Sequence, residues 1–107
     1  MGHRSQPKYQ VLADLICREM DMPPLSVRRV PLAHGWARGI YVPRSNSGAP
    51  PYINISPMRA PNTLLHELAH HLEHHRNGVG SDHGAPFAAA MTELVNKFGP
   101  TVTNALA

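Results

Sequence analysis

At 107 residues, 42% hydrophobic and 16% charged, the chain suits one compact domain, and no run approaches the roughly eighteen consecutive apolar residues of a membrane span. Ten Lys and Arg against seven Asp and Glu leave a net charge of +3, too mild to argue nucleic-acid binding by itself. The single cysteine, Cys17, excludes an internal disulfide framework and a four-cysteine zinc ribbon; with no apolar run behind the N-terminal charges, a cytoplasmic protein without membrane attachment is expected.

The first predicted element is a helix over residues 7–20. Val11, Leu12, Leu15 and Ile16 recur there at helical spacing, Ser5 or Gln6 is available as a cap, and Pro7 suits the first turn. Cys17 falls off that arc, and Met22-Pro23-Pro24 stops the helix. Between residues 26 and 56, short runs of Val, Ile and Tyr are separated by Gly, Pro, Asn and Ser, the mark of strands and turns. Three strands fit, over 27–32, 37–42 and Tyr52–Ile55, with His34-Gly35 turning the first pair and 43–51 forming a polar loop. Pro31, Pro50 and Pro51 confine themselves to strand ends, edges or bulges, so the sheet is small.

A second helix starts at Pro61 or Asn62 and ends near Asn77-Gly78, where glycine suits a left-handed cap. The last helix carries an apolar stripe of Phe87, Met91, Leu94, Val95 and Phe98 and is closed by Gly99-Pro100, leaving 101–107 as a short tail. No repeat or linker divides the chain. A single domain over 1–107 is expected, of the α+β class: an N-terminal helix, a small three-stranded, mainly antiparallel sheet, and two further helices.

The second helix contains His66-Glu67-Leu68-Ala69-His70. At about 100° per residue, His66 and His70 share one face a turn apart and can hold a single zinc ion, while Glu67 reaches a water on it. Leu64, Leu65, Leu68, Ala69 and Leu72 occupy a separate arc that faces a core. A third ligand cannot come from Glu73 or His74, which lie about 10–12 Å along the axis from His66 at 1.5 Å per residue. The chain past Gly78 is long enough to return, which makes His83 the third ligand. Glu93 is its rival, but it lies about 130° from the centre of the last helix's stripe and so points away if the stripe packs inward. Asp82 is expected to orient a ligand histidine or cap the final helix. His71, His74 and His75 read as partly exposed; His74, about 40° from His70, can instead face a substrate.

His66-Glu67-Leu68-Ala69-His70, then twelve residues, then His83-Gly84-Ala85-Pro86-Phe87 resembles the SprT-like zinc peptidases: His-Glu-x-x-His, a return loop, and a third histidine with a glycine after it and an aromatic beneath the site. It is also similar to short metallohydrolases of actinobacteria and their phages. The resemblance implies a minimal zincin-like core and a zinc metallopeptidase. The zinc-ribbon and nucleic-acid-binding segments of longer relatives that act on proteins crosslinked to DNA have no counterpart here, so that substrate class does not carry over.

Three histidine ligands leave a fourth zinc position for water, with Glu67 as general base, and the expected partner is a peptide or protein substrate, with no nucleic acid bound directly. Tyr52–Ile55 is expected at a sheet edge, where an extended peptide pairs with the backbone and Tyr52 contacts it. A donor for the oxyanion comes from among His74, His75, Tyr41, Tyr52 and Arg59. The alternatives are an amidase of the same fold, or a non-catalytic, zinc-stabilised binding module using Arg28, Arg29, Arg38, Arg44 and Arg59. Glu67 separates the module from the enzymes, because a structural zinc site has no use for a carboxylate beside its first ligand.

Overall fold

The elements follow in the order α1 (Pro7–Glu19), β1 (Ser26–Arg29), β2 (Gly39–Val42), β3 (Tyr52–Ile55), α2 (Pro61–Asn77) and α3 (Ala85–Leu106), an α+β arrangement as the sequence indicates. They are seen in a computed structural model that describes residues 7–29, 39–43, 48–55, 61–78 and 83–106.

The buried face of α1 is Tyr9, Leu12, Ala13, Ile16 and Cys17, while Val11 is 63% exposed. The arc is therefore rotated from the expected one, because Tyr9 and Ala13 extend the stripe at i, i+3, i+4, i+7 and i+8, and Cys17 belongs to the core. The helix ends before the prolines act. Asp21 adopts a left-handed φ of 56°, the Met22 N–H reaches the Cys17 carbonyl at 2.8 Å, and the Asp21 N–H reaches that of Arg18 at 3.3 Å. That pair of bonds satisfies two terminal carbonyls, and buried Met22 packs under the turn.

The sheet order is β1-β3-β2, with β3 parallel to β1 and antiparallel to β2. This corrects two expectations: the sheet is mixed, and the first two strands are not a pair, although the His34-Gly35 turn itself lies outside the described residues. Burial explains the order. Ile53 and Ile55 on β3 are fully buried, β1 buries Val27, and β2 has no buried residue, so the most apolar strand takes the centre. Tyr52–Ile55 is consequently not an edge. The free side of β1 is capped by Gln10, whose amide accepts from the Val27 N–H at 2.9 Å and donates to the Leu25 carbonyl at 3.0 Å. The other edge strand, β2, packs against α2.

Helix α2 buries Leu64, Leu65, Leu68, Ala69 and Leu72, the expected arc, and packs most extensively on α3. It ends at Gly78, whose φ of 83° and N–H bond to the His74 carbonyl at 2.8 Å close the last turn. Helix α3 does not stop at Gly99-Pro100. Pro100 removes one helical N–H, but the stripe Phe87, Ala90, Leu94, Phe98 continues to Val102 and Leu106, all buried, and that packing carries the helix through the proline. Residues 101–106 are helix, not a loose tail.

Candidate metal centre

His66 and His70 leave α2 one turn apart, their ring centroids 5.0 Å from each other. His83 comes from the turn before α3, whose first hydrogen bond runs from the Ala88 N–H to the Gly84 carbonyl at 3.0 Å, so the start of that helix fixes the residue beside it. The three side chains converge. One ring nitrogen from each lies within 4.8 Å of the others, a group able to hold a metal ion. The His66 and His83 Nε2 atoms are 3.2 Å apart, close to the ~3.4 Å that separates two nitrogens bound at about 2.1 Å to one tetrahedral ion. The donor set therefore suits a metal ion held by three imidazoles.

Phe87 forms the floor of this group. Its ring centroid lies 4.9 Å from His66, 4.4 Å from His70 and 4.9 Å from His83. Burial, and then the proximity of His83, hold the His66 imidazole below its ordinary pKa, which favours the neutral form a metal ligand requires.

Glu67 is buried and opens into the same cavity of about 590 Å³ as the three histidines, with the β2 residues Gly39 to Tyr41 forming the opposite wall. Burial pushes its carboxyl up to about 7, and a hydrogen bond from the Tyr41 backbone N–H works in the opposite direction. The aromatic ring of Tyr41 is held separately. The Nε2 of His71 lies 2.7 Å from the Pro23 carbonyl, which only accepts, so Nε2 carries the proton and Nδ1 accepts from the Tyr41 hydroxyl at 2.9 Å.

Several expected residues fall elsewhere. His71 is buried rather than partly exposed; it sits at i+7 from Leu64 and i+3 from Leu68, so the wheel that found the leucine arc already contained it. His74 is half-buried and lines the cavity as well as a smaller neighbouring one, whereas His75 is exposed and borders only the smaller of these two, with Pro23 and Pro51. Tyr52 does not line the histidine cavity; its ring lies under the Arg28 guanidinium, 3.9 Å from centroid to Cζ. Glu93 is paired with Arg76 at 2.7 Å, away from the group. Asp82 and Arg59 lie outside the described residues. Tyr41, one of the candidate oxyanion donors, does line the cavity. Sequence reasoning passed over Gly39 as part of the site, although a glycine inside a strand run is a recognised sign of close approach by another group.

Compared with protein-family models, with curated proteins and with solved structures, the chain gives no match in any of the three.

Proposed function

We propose that the protein is a zinc-dependent hydrolase that cleaves peptide bonds, with His66, His70 and His83 as ligands and Glu67 as general base. The observation that carries this reading is the position of Glu67: adjacent in sequence to a ligand, buried, and opening into the cavity the three histidines share. Burial raises the basicity of this carboxylate, which suits it to taking a proton.

A zinc ion in this position supplies a Lewis acid for the scissile carbonyl and a water acidic enough to react near neutral pH. Glu67 takes the proton of the attacking water and returns it to the leaving amine, which balances the protons of amide hydrolysis. His74 is the donor we assign to the oxyanion. The Tyr41 hydroxyl is committed to His71, Tyr52 lies under Arg28 and His75 faces the other cavity, whereas His74 lines the reaction cavity one turn beyond His70 with its side chain inclined towards it. An extended peptide lies along β2, the sheet edge that forms the cavity wall, in place of Tyr52–Ile55.

Of the arginines of the binding-module alternative, Arg28 is engaged with the Tyr52 ring. The test is Glu67→Gln, which keeps size but removes the base. Metal content stays at one equivalent, while turnover on peptides or unfolded proteins falls about 10²-fold or more. Equal cleavage by wild type and variant would overturn the assignment.

A further inference from the structure

Gly39 begins β2 with ordinary strand backbone; the described glycines with positive φ are Gly48 and Gly78. Its conformation does not call for glycine, but its surroundings do. A Cβ at this position lies 2.8 Å from Thr63 Cγ2, 3.1 Å from Glu67 Cγ and 3.2 Å from Glu67 Oε2, inside the roughly 3.5–4.0 Å of a comfortable carbon contact. Thr63 and Glu67 are one turn apart on α2, so the glycine seats a ridge of that helix. Two residues along the same strand, the Tyr41 N–H donates to the Glu67 carboxylate. The space left by the missing Cβ and the Tyr41 N–H therefore both act on the same carboxylate, that of Glu67. Tyr41 is itself fixed by the His71 bond that runs on to the Pro23 carbonyl.

We propose that Gly39 is a positioning residue for Glu67: the missing side chain lets the carboxylate close onto the Tyr41 amide and holds it at the height from which it reaches the histidine group. The Cβ of alanine displaces Glu67 by a few tenths of an ångström. Its effect on turnover rests on the hydrolase reading; its effect on the Glu67–Tyr41 bond does not.

The experiment uses the full zinc-loaded chain with Gly39→Ala, the pair Gly39→Ala with Thr63→Ser, and Glu67→Gln as reference. Amide NMR reads the Tyr41 N–H, and titration reads metal content. Gly39→Ala keeps one equivalent of metal, moves the Tyr41 amide proton upfield in the direction of Glu67→Gln, and lowers kcat about tenfold at nearly constant KM on peptides the wild type cleaves. Thr63→Ser removes the methyl group at the closest contact, so the double variant regains the wild-type melting temperature while its Tyr41 amide and kcat remain displaced. A double variant with wild-type kcat, or a Tyr41 amide unmoved in both, overturns the positioning role and leaves Gly39 a packing residue. A wild type that cleaves no peptide overturns the hydrolase reading instead, and the Tyr41 amide then decides the positioning alone.

Discussion

Glu93 takes two hydrogen bonds from the Arg76 guanidinium, at 2.7 and 3.0 Å, and these hold its carboxyl below the usual carboxylate range on the outer flank of α3. His83 instead faces His66 and His70, so the two candidates for third ligand separate cleanly. His83→Ala is expected to weaken zinc binding by at least about 100-fold, more than loss of a group that only orients a ligand, and Glu93→Ala to leave it unchanged; metal titration of both variants checks this. The histidine pair and Glu67 were legible because i and i+4 on a helix is a local relation. Gly39 was not, since its meaning depends on what approaches from α2. Cys17 shows a similar gap: it was read as off the arc, yet it is 3% exposed, and burial, with Asp14 adding, pushes its thiol from 9.0 up to about 11. Between these values the unfolded chain has lost the proton and the folded chain keeps it, so stability falls as pH rises from about 9 to 11. Tyr41, pushed by burial from 10.0 up to about 12, continues the decline in the same direction. Urea unfolding across this range is expected to show the slope, and Cys17→Ala to flatten its lower part.

At the level of elements, the expected helices and strands form, and their order in the sheet is where sequence reading fell short. Periodicity reports which residues of a strand are buried, but pairing is a non-local choice. Tyr52-Ile53-Asn54-Ile55 alternated visibly, and the same burial of Ile53 and Ile55 that produced the pattern also demanded neighbours on both sides. The end of α3 fell short for a different reason. Gly99-Pro100 is a strong local stop signal, whereas Val102 and Leu106 lie at i+4 and i+8 from Phe98 and continue the buried stripe past it. If that packing holds the last turns, Leu106→Ala costs about 2–3 kcal/mol, the lower part of the range for truncating a buried leucine. Denaturant unfolding measures the loss, and amide exchange is expected to show protection through residues 102–106 in the wild type. Protection ending at Asn96 would return the segment to a tail.

The whole molecule has a radius of gyration of 13.1 Å, close to the roughly 13 Å expected for a compact chain of this length, and one core joins its elements. The histidine group adds a further tie between two of them. His66 and His70 belong to α2, while His83 precedes α3, so an ion held by the three would bridge the two helices that pack most extensively on each other. Without an ion, the His66 and His83 Nε2 atoms, 3.2 Å apart, share one hydrogen bond, whereas an ion would join all three imidazoles at once. An ion that binds the folded chain alone stabilises it by about 2.7 kcal/mol at a free concentration 100 times its Kd. At about 4–8 °C per kcal/mol for a domain near this size, chelation is expected to lower the melting temperature by more than about 10 °C. Calorimetry of wild type and His83→Ala, each with and without chelator, is the measurement. The chelator shift should be large in the wild type and nearly absent in the variant, because the bridge has lost its α3 end. A variant that keeps the full shift would mean that His66 and His70 hold the ion with some other group, and that the two helices are joined by packing alone.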